Sequence, residues 1–336
     1  MNIFSNLYNW CLGEYHYSCR HTVLKNKPRV WFIETTNYCN LSCPMCPRSL
    51  MKRKVGFMDF ELFKKVVKEI RGSTDFVWLH SFGEPLFHPE LKSFINYCSA
   101  NKIKVGISTN ATILDIDKSR MLLDSALHRI ILCMDGVTEN TYTKLRTGAD
   151  FVRTKENILN FLKLAKERKR RDLIAEVQII NMKNTFDEIN AFAKEWSTAG
   201  ARVVEKVFTS WGNQVEGIEN TYSPEISRTL RDRKRYPCRF LWTKGGILWN
   251  GDFVVCCMDF NGCTAAGNLS TGTLKDIWNS PVLIQLRKEQ AGNNYTNPLC
   301  KNCTEWPGSE KEKYYFIPEI YSRIKNKFLK SILIRR

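Results

Sequence analysis

The chain has 336 residues, 43% of them apolar and 25% charged, a composition typical of a globular protein with room for one large and one small domain. It contains no run of about eighteen apolar residues and no signal-peptide pattern, so we expect a cytoplasmic protein that does not span a membrane. The formal net charge of +17 lies mainly in runs typical of solvated helix faces. The alternative is an acidic partner such as a reductase, a membrane surface or a phosphorylated substrate; no nucleic acid is expected.

Apolar runs typical of strands alternate with helical patterns through much of the chain. The strand-like runs cover residues 29–35, 76–82, 103–109, 129–135, 173–182 and 201–208. The helical patterns cover residues 60–71, 90–101, 155–169 and 186–197, and Thr185 with Glu188 is expected to form a capping box for the last helix. Strands that alternate with helices predict an α/β fold with a parallel sheet and right-handed crossovers. A closed eight-stranded barrel would need two more units.

Three cysteines follow the first predicted strand, after an N-terminal extension over residues 1–28. Cys39, Cys43 and Cys46 have the spacing C-x3-C-x2-C. Thirteen cysteines in a chain without an export signal are expected to be ligands, reactive thiols or core residues rather than disulfides. Three thiolates on one short loop can hold three irons of a four-iron cluster, which leaves the fourth iron open. A structural zinc loop is the alternative, but it usually pairs two C-x2-C units.

The segment from Glu34 to Cys46, including Asn40 after the first cysteine, resembles the signature of the radical S-adenosylmethionine (SAM) family. The resemblance implies that the open iron chelates the amino and carboxylate groups of SAM. It also implies a partial (β/α)6 barrel over residues 29–212, with the active site at the C-terminal ends of the strands.

The next strand ends carry further motifs of this family. Gly83 and Glu84, in Ser-Phe-Gly-Glu-Pro, resemble the Gly-Gly-Glu-Pro motif with its leading glycine replaced, which implies contact with the SAM amino group. Ser108 and Asn110 are similar to the family's ribose contact, and Arg146 stands where relatives bind the SAM carboxylate. Cys133 occupies a position where the family commonly has serine. Its thiol lies either at the mouth of the barrel or in the core.

A second set of cysteines follows a basic linker over residues 213–235. Cys238, Cys256, Cys300 and Cys303, within residues 236–307, resemble the SPASM/Twitch region that holds an auxiliary cluster. The resemblance implies a second four-iron cluster with no open iron, and a tetrahedral zinc site is the alternative. Cys257 could replace Cys256 as a ligand, but neighbours on a strand point in opposite directions. Residues 247–255 predict a hairpin with a type I′ turn, and residues 308–336 predict a basic amphipathic helix that either docks on its own domain or weakly contacts a membrane surface.

These resemblances imply an enzyme with SAM and two four-iron clusters as cofactors, which receives electrons from a flavodoxin- or ferredoxin-type reductant. It would cleave SAM to a 5′-deoxyadenosyl radical and abstract hydrogen from its substrate. Residues 1–28 are too few for the leader-binding domain that peptide-modifying relatives often carry, so we expect a small polyol, aminocyclitol or saccharide that is epimerised or dehydrogenated. A maturase of ribosomally made peptides is the alternative, and an iron-sulfur scaffold or sensor is the non-enzymatic one.

Epimerisation would need a hydrogen donor on the face of the substrate opposite to the radical. Three cysteines outside the ligand sets could provide it: Cys263 first, then Cys133, and Cys257. Cys263 follows Asn261 and Gly262, a pair typical of turns that leaves the thiol accessible.

Overall fold

The computed structural model describes residues 3–222 and 235–306. Residues 223–234 of the expected linker, and the expected C-terminal helix over residues 308–336, lie outside the described residues. No helix in the described part of the chain is both long enough and apolar enough to cross a membrane.

A single eight-stranded sheet organises the described residues, in the order β6-β5-β4-β3-β2-β1-β7-β8. Neighbouring strands are parallel except β7 and β8, which are antiparallel. The α/β prediction is confirmed, and the strands β1 to β6 correspond to the six expected runs. The strands are β1 (Val30–Ile33), β2 (Phe76–Trp78), β3 (Lys104–Thr109), β4 (Arg129–Cys133), β5 (Ile174–Asn181), β6 (Arg202–Val207), β7 (Lys244–Ile247) and β8 (Phe253–Val254).

Helices cover one face of this sheet. The expected helices correspond to α2, α3, α6 and α7, whereas α1, α4 and α5 were not predicted. The helices are α1 (Ile3–Ser18), α2 (Phe60–Ile70), α3 (Leu91–Ala100), α4 (Ile116–Leu123), α5 (Glu139–Leu145), α6 (Phe151–Glu167), α7 (Ile189–Thr198), α8 (Phe240–Thr243), α9 (Leu274–Trp278), α10 (Pro281–Ala291) and α11 (Pro298–Lys301).

The expected capping box of α7 is wrong. The Thr185 side chain makes no cap hydrogen bond, and its hydroxyl donates instead to the carbonyl of Ile180 at 2.5 Å. The Glu188 carboxylate accepts the backbone N–H of Val137 at 2.6 Å. Both side chains therefore fasten the ends of β4 and β5, and a short 3-10 helix, Phe186–Glu188, precedes α7.

Helix α2 illustrates how the core forms. Asp59 caps it by accepting the N–H groups of Glu61 and Leu62, and every third or fourth residue of the helix is buried. Phe63 on this buried face stacks on Phe94 of α3, with ring centroids 4.1 Å apart. The contact joins the first two crossover helices over the centre of the sheet.

Strand β7 extends the sheet along the free edge of β1, because its two glycines accept the large side chains of that strand. A Cβ atom on Gly246 would lie 1.9 Å from Cζ of Phe32, and one on Gly245 would lie 2.5 Å from the Trp31 ring. The segment that carries the second cysteine set thus continues the barrel sheet.

The hairpin between β7 and β8 is present, but its expected type I′ turn is wrong. A type I′ turn needs positive φ at both central residues, and here only Gly251 has it, at 92°. The Gly251 N–H donates to the Leu248 carbonyl and the Leu248 N–H to the Asp252 carbonyl, both at 2.9 Å. This pattern matches a type I turn followed by a glycine bulge.

The N-terminal extension contains α1, which links the two cysteine-bearing segments. Glu14 of α1 forms ion pairs with Arg29, just before β1, and with Arg239, just before α8. Both arginine side chains are nearly buried, so these pairs fix the start of β1 beside the segment that begins at Cys238.

Candidate functional site

The loop of Cys39, Cys43 and Cys46 leaves the C-terminal end of β1, and its backbone is held from several sides. Arg48 donates to the Leu41 carbonyl at 2.6 Å, and Trp211 donates through Nε1 to the Met45 carbonyl at 2.7 Å. All three cysteines are partly exposed. The loop is therefore fixed while its thiols stay accessible.

Nitrogen donors surround two of these sulfurs. Cys39 Sγ accepts the Leu41 N–H at 3.5 Å and meets the Asn110 amide at 3.6 Å, and Arg146 Nη1 lies 3.9 Å from Cys43 Sγ. Such donors stabilise ligating thiolates. Burial raises the pKa of the Cys39 thiol, so the sulfur is neutral unless a metal binds it. The three thiols and the N–H donors around them fit a cluster in which each thiolate binds a different iron.

Glu84 ties the ends of β2 and β3 together. Its carboxylate accepts the Asn110 N–H at 2.7 Å, the Thr109 hydroxyl at 2.8 Å and the Leu86 N–H at 3.1 Å. Burial raises the pKa of Glu84 to about 7. Within residues 3–222 and 235–306, Oε2 accepts only the Asn110 N–H, so it can accept a further N–H donor.

Gly83 is required by the packing of the cysteine loop. Its φ is +87°, and a Cβ atom would lie 2.5 Å from the Thr36 carbonyl oxygen. The motif after β2 therefore lies directly against the chain that leads into Cys39. The close approach seen at this glycine is to protein backbone; contact with SAM stays a prediction.

The sheet face away from the helices carries a row of neutral polar groups. Ser108 Oγ lies 3.2 Å from Cys133 Sγ, and Gln178 Nε2 lies 3.7 Å from the same sulfur. Cys133 is buried, which raises the pKa of its thiol. The thiol is therefore buried, and it lies beside Ser108 on the inner face of the sheet. A functional role for Cys133 stays a prediction.

Arg146 closes this region on the side of the cysteine loop. Its guanidinium donates to Asp135 Oδ2, through Nε at 2.8 Å and through Nη2, while Asp135 Oδ1 accepts the Ile180 N–H at 2.8 Å. Burial opposes the arginine's charge, but Asp135 keeps the pKa of Arg146 above its ordinary value. A cation thus stands between Asp135 and Cys43.

The second cysteine set converges from four separate elements. Cys238 precedes α8, Cys256 follows β8, Cys300 lies in α11 and Cys303 follows it. Burial, followed by the charges of Cys257, Cys303 and Cys238, raises the pKa of Cys256 well above its ordinary value. Cys256 Sγ also accepts the Met258 N–H at 3.4 Å, and Cys303 Sγ accepts the Glu305 N–H at 3.3 Å.

No group of three histidine, cysteine or acidic side chains within residues 3–222 and 235–306 lies close enough to hold one metal ion. A zinc site needs its thiolates around a single ion, whereas a cubane binds each thiolate at a different iron. Each thiol of the second set can bind a different iron of a four-iron cluster.

The remaining two candidate thiols occupy different surroundings. Cys257 accepts a hydrogen bond from Lys244 Nζ at 3.3 Å, so its side chain turns toward β7 while Cys256 turns toward the other cysteines. Cys263 is exposed, on a turn where Asp259 accepts its N–H at 2.8 Å. The expected accessibility of Cys263 is confirmed, but its role as a hydrogen donor stays a prediction.

Several residues in this region were not predicted. The Arg53 guanidinium bonds the buried carboxylate of Glu34 and donates to the Phe260 carbonyl at 2.8 Å, which joins β1 to the second cysteine segment. His80 lies beside Trp78, with ring centroids 5.1 Å apart, and its buried Nδ1 has no hydrogen-bond partner among the described residues. Burial lowers the pKa of His80 to about 3, so its ring is neutral. Alternation along the strands could have placed His80 and Gln178 on the inner face.

Comparison with known protein families follows the same division of the chain. A model described as the radical SAM superfamily matches residues 33–195. A model described as an iron-sulfur cluster-binding domain, SPASM, matches residues 238–304 and includes all four cysteines of the second set.

Individual relatives are distant but cover most of the chain. A tungsten-containing aldehyde ferredoxin oxidoreductase cofactor-modifying protein from Pyrococcus furiosus is 22% identical over 81% of this chain and 86% of its own. An S-adenosyl-L-methionine-dependent 2-deoxy-scyllo-inosamine dehydrogenase from Niallia circulans is 22% identical over 85% of this chain and 96% of its own. Streptococcus suis SuiB bound to precursor peptide SuiA superposes with a TM-score of 0.64 at 16% identity, over 90% of this chain and 75% of that one, which shows a shared fold.

Proposed function

Because the chain belongs to the radical SAM superfamily and carries a C-terminal SPASM domain, we propose that it dehydrogenates a small polyol, aminocyclitol or saccharide. The protein is a radical SAM enzyme whose cofactors are SAM and four-iron clusters, one in the barrel and one in the SPASM domain.

Two ligand sets are assigned in the proposal. Cys39, Cys43 and Cys46 would hold the SAM-binding cluster; the auxiliary cluster would be held by Cys238, Cys256, Cys300 and Cys303. When bound, the clusters supply the electron that splits SAM into methionine and a hydrogen-abstracting 5′-deoxyadenosyl radical, and accept the electron that an oxidised substrate gives up.

Side chains at the strand ends would orient SAM. Glu84 would accept a hydrogen bond from the SAM amino group, and Arg146 would offer its guanidinium to the SAM carboxylate. Asn110 contacts the Cys39 sulfur and the Asn40 side chain, so its amide borders the cysteine loop, and we propose that it also contacts the SAM ribose. Glu84 and Asn110 follow β2 and β3, and Asp135, which follows β4, holds Arg146 at the end of α5.

The observation that carries the substrate class is the inner face of the sheet. His80, Ser108, Cys133 and Gln178 place an imidazole, a hydroxyl, a thiol and an amide there, all uncharged at neutral pH. Such groups match the donors and acceptors of a hydroxylated molecule. Lys206 and Lys244 are cations near them, and after burial they contribute to the lowered pKa of His80. The dehydrogenase of Niallia circulans, which resembles this chain over most of both lengths, supports the same class.

Dehydrogenation is favoured over epimerisation because Cys263, the first candidate donor, is exposed rather than enclosed with the inner-face groups. The buried thiol of Cys133 keeps epimerisation as the alternative. Modification of a peptide is the second alternative.

Reconstituted enzyme incubated anaerobically with SAM, dithionite and a panel of aminocyclitols, polyols, saccharides and peptides tests the proposal. We expect 5′-deoxyadenosine together with a product that is two hydrogens lighter than one substrate of the panel. A product of unchanged mass with an inverted centre would replace dehydrogenation by epimerisation. Turnover of peptides alone would refute the substrate class.

A further inference from the structure

An exposed surface with apolar and basic side chains lies beside the first cysteine loop. Its apolar members are strongly exposed: Leu50 by 48%, Val55 by 57%, Phe57 by 42% and Tyr38 by 40%. Lys52 and Lys54 stand between them and are also exposed. We call these six residues the 50–57 surface. Clustered exposed apolar side chains commonly mark an interaction site.

The charge of this surface is of one sign. Residues 48–58 contain four basic residues and no acidic one. Two of them act within the protein, since Arg48 bonds the Leu41 carbonyl and Arg53 bonds Glu34. Lys52 and Lys54 have no ion-pair partner among the residues that the structure describes, so their charge is available to an acidic partner.

The backbone under these side chains is fixed. Asn37 accepts the Gly56 N–H and donates to the Lys54 carbonyl, both at 2.9 Å, while Thr36 donates to the Gly56 carbonyl at 2.7 Å. From the SPASM domain, Asn261 accepts the Lys52 N–H at 2.7 Å. The segment therefore presents its side chains in a preset arrangement, which lowers the entropic cost of binding.

The same segment adjoins the cysteines of the barrel. Tyr38 immediately precedes Cys39, and the 3-10 helix Pro47–Leu50 begins directly after Cys46. Tyr38 packs edge to face on Phe87 at 4.9 Å and lies 6.3 Å from Phe57. Tyr38 therefore belongs to the exposed surface and adjoins the cysteine loop.

We propose that the 50–57 surface docks a small acidic one-electron carrier protein of the flavodoxin type, which donates its electron toward the loop of Cys39, Cys43 and Cys46. The proposal rests on the function proposed above, in which each SAM cleavage requires one electron at the barrel cluster. Dehydrogenation returns one electron to the auxiliary cluster, so the outside carrier supplies the electron that starts turnover. The carrier is oxidised by one electron as methionine and the 5′-deoxyadenosyl radical form. Small, charge-steered contacts are typical of electron-transfer encounters.

Charge reversal tests this surface. In the full-length holoenzyme, Lys52→Glu with Lys54→Glu, and separately Val55→Asp, are compared with Lys163→Glu with Lys166→Glu on α6, a control with the same charge change at two exposed lysines. The dissociation constant for reduced flavodoxin is measured at low and high salt. We expect it to rise by about tenfold or more in both surface variants and little in the control.

The second readout is the rate of 5′-deoxyadenosine formation with flavodoxin and with dithionite. We expect the surface variants to lose the flavodoxin-driven rate and keep the dithionite-driven rate. Equal affinity of all variants for flavodoxin, or equal loss in the α6 control, would overturn the docking proposal. Absence of dithionite-driven SAM cleavage in the unaltered enzyme would instead contradict the proposed function. The affinities of the variants for flavodoxin would still test the 50–57 surface.

Discussion

The guanidinium of Arg53 binds the carboxylate of Glu34 in a bidentate ion pair, with both nitrogen to oxygen distances at 2.8 Å. Glu34 directly follows β1 and is fully buried, whereas Arg53 lies beyond the cysteine loop and also donates to the Phe260 carbonyl of the SPASM domain. The pair therefore closes the loop at its base and attaches it to the second domain.

Removal of Arg53 should leave a buried carboxylate without its partner. Arg53→Met is expected to lower the free energy of unfolding by about 3 to 5 kcal/mol, the usual cost of breaking a buried pair. The measurement is the thermal unfolding midpoint of anaerobically purified protein. Combining Arg53→Met with Glu34→Gln should restore part of the loss, and a double variant no more stable than the single one would contradict this account.

Metal content should separate the two ligand sets. Reconstituted protein is expected to carry about eight irons, and about four after Cys39, Cys43 and Cys46 are all changed to Ala, at four irons per cubane. The same loss should follow from changing Cys238, Cys256, Cys300 and Cys303. Cys257→Ala is the control and should keep about eight. Stoichiometric zinc retained in the variant without Cys39, Cys43 and Cys46 would show that the second set is a zinc site.

The affinity for SAM should depend on pH through Glu84. Its pKa of about 7 lies above the ordinary value of 4.5, so the carboxyl is mostly protonated below pH 7, and its ionised form is the stronger acceptor for the N–H groups of the SAM amino group. We expect SAM affinity to rise as pH increases from 6 to 8, by at most about tenfold per unit. Glu84→Gln should flatten this dependence and weaken binding at pH 8 by about tenfold or more, from the strength of a charged hydrogen bond. A pH profile unchanged by Glu84→Gln would rule out the contact.

The same elevated pKa has a consequence for stability. Between about pH 4.5 and 7 the unfolded chain ionises Glu84 while the folded chain keeps it protonated, so this group makes the folded state less stable as pH rises through that window. Glu84→Gln should remove that decline. A comparison of unfolding midpoints at pH 5 and 7 measures it.

The source of hydrogen can be read from the product. If Cys133 donates hydrogen, turnover in deuterated water should place one deuterium on the product carbon, and Cys133→Ala should abolish product while 5′-deoxyadenosine still forms. If dehydrogenation is the reaction, Cys133→Ala and Cys263→Ala should both give the lighter product. Mass spectrometry of the product distinguishes the two outcomes.

Gly246→Ala should separate β7 from β1, because the added methyl would lie 1.9 Å from Phe32 Cζ. We expect a loss of about 1 to 3 kcal/mol in stability, as is usual for overpacked sites, and iron reduced toward about four per chain. Phe32→Ala added to Gly246→Ala should recover part of both losses. Full iron and an unchanged midpoint in the single variant would mean that the strand pairing does not support the auxiliary site.

The sequence predicted what depends on local pattern and left out what depends on long-range pairing. Strands β1 to β5 were foreseen because each is a short, mainly apolar run between helical segments, and β6, which is exposed at the sheet edge, was foreseen from its valines. The pairing of β7 with β1 was not, because Lys244–Ile247 contains two glycines and one isoleucine and pairs with a strand more than 200 residues earlier. The cysteines were found from their spacing. The ion pair of Glu34 with Arg53 and the burial of His80 depend on neighbours that are distant in sequence, so the sequence alone did not reveal them.

The addition of β7 to β1 also bears on how the chain is made. Synthesis proceeds from the N-terminus, so the barrel strands leave the ribosome well before residues 244–247, and during that interval one edge of β1 has no partner. An open edge can accept a strand from another chain, which leads to aggregation or domain exchange. Slower synthesis at lower temperature, or co-expression of chaperones, should therefore raise the soluble yield of this chain. A chain that ends before residue 244 should be insoluble, because its β1 edge stays unpaired.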